Sequence, residues 1–132
     1  MPRKTIQPDG LFDSRKYGFS QIAVGEGSRV VTISGQVGWD KDERVVGADL
    51  KQQTMLALQN LKYAMEAAGG SLDDVLLLHI YIVESVMTKD TAVRDCLQTV
   101  FPDAPPATSW IGVSRLSAPD FLVEIEAIGV LP

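Results

Sequence analysis

Two carboxylates stand in the middle of the last apolar segment of the chain, Phe121 to Leu131. Successive side chains of a strand point to opposite faces, so Glu124 and Glu126 would share one face. The two ends of that face are apolar, whereas the solvent side of an ordinary strand is polar along its whole length. Carboxylates in such a setting can act as general acids or bases. The pattern favours a crevice or a subunit boundary, and the alternative is an edge strand with two solvated glutamates.

The composition argues against several functional classes. The net charge is -5 and the 12 basic residues are scattered, whereas binding of nucleic-acid phosphates needs clustered Lys and Arg. One cysteine and one histidine do not supply the usual zinc ligands, and a single cysteine cannot form an internal disulfide. The N-terminal segment lacks the apolar core of a signal peptide, and no apolar run is long enough for a membrane span. We therefore expect a cytoplasmic protein without a metal, a membrane partner or a nucleic-acid partner.

The elements that position the glutamates follow from hydrophobic periodicity. The length of 132 residues predicts a single domain, 1–132, with one core. Residues 1–18 are expected to be irregular. Strands are predicted over 19–24, 29–37, 74–83, 107–113 and 121–131, and helices over 49–68 and 88–100. This β-β-α-β-α-β-β order predicts an α+β fold with two helices on one face of a mixed sheet.

Three local signals mark the ends and bends of these elements. Asp49 can cap the first helix, and Gln52 can complete a pair that resembles a capping box. Gly69, followed by a second glycine, is expected to end that helix. Gly35 lies inside a strand pattern, which predicts a bulge or the close approach of another backbone or of a ligand.

The predicted sheet has more apolar surface than two helices can cover. The strand over 74–83 is apolar on both faces, and the last strand carries Leu122, Ile128 and Val130 on its second face. Two helices cover only one face. We therefore expect a homo-oligomer in which the uncovered sheet faces meet, with sites at the boundaries between subunits.

Four segments together resemble the RidA family, also called the YjgF/YER057c/UK114 family. They are Ser34-Gly35-Gln36, the helix end Glu66-Ala67-Ala68-Gly69, the FPDAPPA segment at 101–107 and the VEIEAI segment at 123–128. The match covers nearly the whole chain in the right order, although no single motif is decisive. The resemblance implies a chorismate-mutase-like fold, a homotrimeric barrel and small-molecule clefts between subunits. It also implies cofactor-free hydrolysis of 2-aminoacrylate and related enamines or imines to 2-keto acids and ammonia.

Part of the family's site is retained at matching positions. Glu124 stands where the family has a glutamate that holds the attacking water. Ser34 and Gly35 match the strand that lines the cleft. Trp110 stands where the family offers a backbone N–H to the ligand. The resemblance therefore implies a catalytic role for Glu124 and substrate-binding roles for the other three.

Three positions depart from the family's pattern. Thr108 stands where the family has the arginine that binds the substrate carboxylate, Phe19 replaces a tyrosine, and Arg94 falls near an asparagine of the second helix. Loss of a charge-assisted hydrogen bond weakens binding by roughly 10- to 150-fold. We therefore expect inefficient hydrolysis of 2-aminoacrylate. The cleft should instead suit a larger or less charged ligand.

Each candidate also has a simpler interpretation. Glu124 either orients a water or is satisfied by backbone N–H groups at a subunit boundary, and Glu126 is expected to be structural. Arg94 either reaches into the cleft or is a solvated helix residue. Trp110 is either a platform for a ligand or part of the trimer packing.

Three further residues are of types that often occur in functional sites: His79, Cys96 and Trp39. His79 is expected to be a hydrogen-bonded residue of the core or an interface, because it lies in the apolar central strand. Cys96 is expected to serve packing alone. Trp39 follows the second predicted strand, and the sequence does not decide whether it borders the cleft.

Three functions remain open from the sequence. The first is a hydrolase or deaminase that acts on an imine, an enamine or a related small metabolite. The second is a trimer that binds a small metabolite without turning it over. The third is the endoribonuclease or translation inhibitor of the family's older label, against which the acidic charge counts.

Overall fold

A computed structural model describes residues 2–132. Its strands and helices follow the order β1 (Lys4–Ile6), β2 (Ile22–Val24), β3 (Arg29–Gln36), α1 (Leu50–Ala67), β4 (Val75–Val83), α2 (Thr91–Val100), β5 (Ala107–Val113) and β6 (Val123–Leu131). Short 3-10 helices span Arg15–Tyr17, Leu72–Asp74 and Glu84–Lys89. The predicted α+β class is confirmed.

Four strands form one mixed sheet in the order β3-β6-β4-β5. β4 and β5 run parallel, whereas β6 is antiparallel to both β3 and β4. β1 and β2 form a separate antiparallel ribbon. The two helices and the mixed sheet match the predicted architecture, and β4 lies inside the sheet as expected from its apolar character.

The core lies between the helices and one face of this sheet. Burial alternates strictly along β6: Val123, Ile125, Ala127, Gly129 and Leu131 are buried, and the even-numbered residues between them are partly exposed. The apolar stripe of α1 includes Leu58, Leu61 and Met65, all fully buried in the same cluster. The opposite sheet face, which we call the open face, has no helix over it within residues 2–132.

The ends of α1 follow from its sequence. The Asp49 side chain accepts a hydrogen bond from the Gln52 N–H at 2.8 Å. Gln52 returns a bond one residue earlier than in a standard capping box, since its Oε1 accepts the Ala48 N–H at 2.9 Å. At the other end, Gly69 has φ +94°, and the Gly70 N–H donates to the Met65 carbonyl at 2.9 Å. This is a Schellman motif, which requires a residue that tolerates positive φ.

Several predicted boundaries were wrong. Residues 1–18 contain β1 and a 3-10 helix and are not irregular throughout. The strand predicted over 19–24 begins at Ile22, and the last strand begins at Val123 because Phe121 belongs to a turn, in which its N–H donates to the Ala118 carbonyl. The helix predicted over 88–100 is divided, since a 3-10 helix ends at Lys89 and α2 begins at Thr91.

No helix among residues 2–132 combines the length and apolar character needed to cross a membrane.

Candidate functional site

Four aromatic rings, an arginine and an aspartate surround a concave pocket beside the edge strand β5. We call it the aromatic pocket, and its volume is about 380 Å³. Its lining residues are Phe12, Tyr17, Phe19, Asp90, Thr91, Arg94 and Trp110. Three of the predicted site residues, Phe19, Arg94 and Trp110, are thus brought together.

The segment that precedes β2 delivers the aromatic side chains to α2. Gly18 has φ +90°, and a Cβ there would lie 3.2 Å from the Arg94 carbonyl oxygen. A glycine therefore permits both the left-handed turn and the close approach to α2. The Ser20 N–H donates to the Pro106 carbonyl at 3.1 Å, which fixes Phe19 beside the start of β5.

The four rings form a continuous wall. The ring centroids of Phe19 and Trp110 are 6.2 Å apart, those of Phe12 and Phe19 6.4 Å, and those of Phe12 and Tyr17 6.2 Å. The two Phe12 pairs meet edge to face, a favourable geometry for rings with quadrupole moments. The indole Nε1 of Trp110 donates to Thr108 Oγ1 at 3.0 Å, so Thr108 supports the tryptophan from the same strand face.

The charged end of the pocket lies on the first turn of α2. Asp90 is the N-cap residue, yet its side chain accepts no capping hydrogen bond. Arg94 lies one helical turn further, and its guanidinium makes a long hydrogen bond of 3.4 Å to the Asp95 carboxylate. The two side chains share a helix face at this spacing. Both are therefore available to a ligand at the mouth of the aromatic pocket.

The two glutamates of β6 lie on the open face in different environments. Tyr81 donates its hydroxyl to Glu126 Oε1 at 2.5 Å, and His79 Nδ1 lies 3.2 Å from the same oxygen. The bond to Glu126 raises the pKa of Tyr81, with desolvation as a further cause. Within residues 2–132 the Glu124 carboxylate takes part in no hydrogen bond or ion pair. The partners of Glu126 are consistent with a structural role, whereas the Glu124 carboxylate is free to contact a ligand or a water.

Gly35 makes room for the Glu124 side chain. The pairing of β3 with β6 shifts register between Ile33 and Gln36, and a Cβ on Gly35 would collide with the Glu124 carboxylate. The expected bulge is therefore present at Gly35, and the group that approaches this glycine is the Glu124 side chain, not another backbone or a ligand. Ser34, the neighbour of Gly35, is exposed.

The strand register separates the candidate residues into two groups. Trp110 pairs with Ile80, which is buried on the helix side, whereas Glu124 pairs with Tyr81 on the open face. Thr108 shares the side of Trp110 because it lies two residues away. The aromatic pocket with Thr108 therefore lies on one side of the sheet. Glu124, Ser34 and Gly35 lie on the other, so one chain does not assemble them into a single cleft.

The remaining side chains singled out in the sequence are accounted for by their contacts. His79 contacts Glu126, as its interpretation as a hydrogen-bonded residue requires. Cys96 is fully buried, and burial raises the pKa of its thiol. Trp39 packs edge to face on Phe121 with centroids 5.0 Å apart, and it lines a separate depression with Gly35. Among residues 2–132 there is no cluster of three His, Cys, Asp or Glu side chains that could hold a metal ion.

Four pocket residues were not expected from the sequence: Phe12, Tyr17, Asp90 and Thr91. Phe12 and Tyr17 lie in the segment that was read as irregular, and Asp90 lies at a helix start. The available signal was the density of aromatic residues over 12–19, together with an acidic and a basic residue four apart on α2. These signals are weak alone because the fold, and not local sequence, brings the two segments together.

Comparisons with known proteins identify relatives of this chain. The family model described as endoribonuclease L-PSP matches residues 14–131. A RutC family protein of Saccharolobus solfataricus is 36% identical over 109 residues, which cover 81% of each chain.

Two solved structures extend the similarity to the fold. A Rid family protein of unknown function from Yersinia pestis superposes with a TM-score of 0.92 at 35% identity, over 99% of this chain and 100% of the other. A YjgF/YER057c/UK114 family member from Mycobacterium tuberculosis gives a TM-score of 0.69 at 29% identity, over 98% and 99%.

Proposed function

The chain belongs to the endoribonuclease L-PSP family, also called the RidA or YjgF/YER057c/UK114 family, and from this premise we propose that it is a hydrolase of imines or enamines. The observation that carries the proposal is the unpartnered Glu124 carboxylate, which lies over Gly35 on the open face. A carboxylate kept free of protein partners is available to orient a water. We further propose one cofactor-free domain, 1–132, in the cytoplasm.

The reaction balances with water as the second reactant. An oxygen–carbon bond forms when water adds to the carbon of the C=N group, and the C–N bond breaks when ammonia leaves. The water supplies the oxygen of the new carbonyl group, and its protons leave with the ammonia. In this scheme Glu124 holds the water and takes a proton from it as the bond forms.

The complete site is proposed to lie between copies of the chain. Glu124, Ser34 and Gly35 form one half on the open face, and Phe19, Arg94, Thr108 and Trp110 form the other half beyond the sheet. A trimer in which the β5 edge of each copy, beside which the aromatic pocket lies, meets the open face of its neighbour would bring the two complementary halves together. Each of three clefts would then contain both halves.

Thr108 sets a limit on the substrate. Its hydroxyl accepts the indole N–H of Trp110 and carries no charge, so it cannot bind a carboxylate as a guanidinium does. Hydrolysis of the small anion 2-aminoacrylate should therefore be slow. Substrates with a larger apolar part should gain more from the ring wall.

The test is ammonia release from freshly generated imines with small, aromatic and dicarboxylic side chains. Wild type, Glu124→Ala and Thr108→Arg would be compared, with Glu66→Ala as a control because Glu66 is an exposed glutamate at the end of α1. We expect turnover in wild type and in the control, and at least a 100-fold loss in Glu124→Ala. Equal rates in wild type and Glu124→Ala would refute the catalytic role.

A second function is favoured by the same threonine. If the clefts only bind a metabolite, wild type releases no ammonia from any imine, while Thr108→Arg gains activity on 2-aminoacrylate. That result would indicate a non-catalytic trimer that binds a metabolite. It would also show that the other residues needed for hydrolysis are still in place.

The endoribonuclease reading is disfavoured by the charge. The chain carries 17 acidic and 12 basic residues, and RNA binding rests on clustered basic residues and weakens with salt. Binding of single-stranded RNA at low salt would support an endoribonuclease function. Lack of RNA binding under the same conditions would refute it.

A further inference from the structure

We infer that the aromatic pocket binds an aromatic α-imino acid or α-amino acid, with Arg94 on the carboxylate and Asp90 on the adjacent nitrogen. The inference deepens the proposed function, on which its catalytic part rests, by naming the substrate class. Its binding part stands on the pocket alone. It also assigns binding roles to Asp90, Phe12 and Tyr17.

The walls of the pocket are suited to a planar ring. Phe12 is 60% exposed and Tyr17 is 43% exposed, so these two rings leave much apolar surface in water. Large exposed apolar groups that form a concave patch mark binding sites. The volume of about 380 Å³ lies in the range of small-molecule sites. A ligand ring could therefore make the edge contacts that the four wall rings already make with one another.

The charged end is suited to a carboxylate beside a nitrogen. Side chains one helical turn apart have Cβ atoms about 5–6 Å apart on the same face, so Asp90 and Arg94 can hold two neighbouring groups of one ligand. The Asp90 side chain accepts no capping hydrogen bond from α2. Within residues 2–132 the Arg94 guanidinium donates one hydrogen bond, to Asp95, and this bond is long at 3.4 Å. Neither the Asp90 carboxylate nor the Arg94 guanidinium is held by a strong interaction within the protein.

The pair of opposite charges selects against simpler ligands. A carboxylate without a nitrogen would meet Asp90 as well as Arg94, and an amine without a carboxylate would leave Arg94 unpaired. A protonated imine or amine next to a carboxylate matches both charges. The geometry thus favours the imine of an aromatic amino acid over a plain aromatic acid.

Binding can be measured without turnover by using an unreactive analogue. Titration calorimetry would compare L-phenylalanine with 3-phenylpropanoate, which lacks the nitrogen, with 2-phenylethylamine, which lacks the carboxylate, and with L-alanine, which lacks the ring. We expect L-phenylalanine to bind about tenfold or more tightly than each of the others. Equal affinity for L-alanine would overturn the role of the rings, and equal affinity for 3-phenylpropanoate would overturn the role of Asp90.

Variants assign the binding to named side chains. Arg94→Gln, Asp90→Asn and Phe12→Ala should each weaken L-phenylalanine binding about tenfold or more. Phe12 is mostly exposed, so Phe12→Ala tests the ring wall without removing a buried side chain. Arg115→Gln, at an exposed loop position, and Tyr63→Ala, at a 78% exposed position of α1, should bind like wild type. Unchanged binding in Arg94→Gln would refute the inference, as would no binding in wild type.

The two proposals can fail separately. Glu124→Ala should keep the affinity for L-phenylalanine but lose hydrolysis of the imine that an amino-acid oxidase generates from it. If wild type binds L-phenylalanine and hydrolyses no imine, the ligand class stands and the hydrolase proposal fails. If wild type hydrolyses small aliphatic imines but does not bind L-phenylalanine, the hydrolase stands and the inference fails.

Discussion

Arg3 shows how one buried side chain can join distant segments. It is only 8% exposed. Its guanidinium donates to the carbonyl groups of Ala104 and Leu72, each at 2.6 Å, and of Val75 at 3.2 Å. It also lies 5.1 Å from the centre of the Phe101 ring. Burial lowers the pKa of Arg3, and nearby acidic residues act in the opposite direction.

Arg3→Ala should lower the free energy of unfolding by about 3 kcal/mol, because buried carbonyl groups would lose a charged donor. Urea denaturation followed by circular dichroism measures this change. Lys4→Ala, at the exposed neighbouring position, is the control and should leave stability nearly unchanged. Arg3→Lys should recover only part of the loss, since an ammonium lacks the planar fork of the guanidinium. Equal stability of Arg3→Ala and Lys4→Ala would contradict this account.

Tyr81 gives the open face a dependence on alkaline pH. Its pKa is raised in the fold, above the value of about 10 for an unfolded chain. The folded state therefore holds the phenolic proton more tightly, and this contribution to stability is complete below pH 10 and is lost as the pH rises through the folded pKa. Tyr81→Phe should remove that loss, so its unfolding free energy should fall less than that of wild type above about pH 10. Tyr63→Phe, at an exposed tyrosine, should follow wild type, and parallel curves for all three would disprove the assignment.

Two glycines of the sheet should respond differently to substitution. A Cβ on Gly129 would lie 2.5 Å from the Asp74 backbone carbonyl oxygen, which cannot move without disturbing the strand pairing. The three atoms nearest to a Cβ on Gly35 all belong to the side chain of Glu124, which can rotate away. The same chemical change therefore tests the fold at one position and the site at the other.

Gly129→Ala should destabilise the protein by about 1–3 kcal/mol, as overpacking does. Gly35→Ala should cost less than about 1 kcal/mol but should reduce kcat about tenfold or more, because misplacement of a catalytic group by an ångström is costly. Thermal unfolding and ammonia release measure the two effects. Full activity in Gly35→Ala would show that the carboxylate does not need its position over Gly35.

The elements that the sequence predicts well are those whose signals are local. The alternation along β6 and the stripe of α1 depend on residues within one element, and both appear in the structure as predicted. β1 was missed because three residues with one apolar side chain carry no period, and their position depends on Arg3 bonds to residues 69 to 101 positions away.

The division of the candidate site could not be predicted for a related reason. Alternation places Thr108 and Trp110 on the same face of β5. Whether Glu124 of β6 lies on that side of the sheet or on the opposite side depends on the register between the strands. The parallel pairing of Trp110 with Ile80 and the antiparallel pairing of Glu124 with Tyr81 are long-range contacts. The composition of the aromatic pocket depends in the same way on the approach of residues 12–19 to α2.

The open face of the whole molecule is incompletely covered by its own chain. Val30 is 74% exposed and Ile111 is 36% exposed, and Ile128 lies between them in the sheet on the same face. Ile128→Glu should convert the proposed trimer to the 14.3 kDa monomer, because burying an unpaired charge costs several kcal/mol. Sedimentation velocity measures the mass. Val46→Glu, in a loop at 45% exposure, should leave the assembly intact, and an unchanged mass in Ile128→Glu would contradict contact through this face.

Mixing two inactive variants tests whether a cleft is built from two copies. Glu124→Ala keeps the aromatic pocket, and Arg94→Gln keeps the carboxylate. When the two are unfolded together and refolded in equal amounts, about a quarter of the clefts of random trimers combine both intact halves. Activity on an aromatic imine should therefore return to about a quarter of the wild-type value. If both halves came from one chain, no cleft would be intact and no activity would return. Adding Ile128→Glu to both variants should abolish the recovery, since restoration requires contact through the open face.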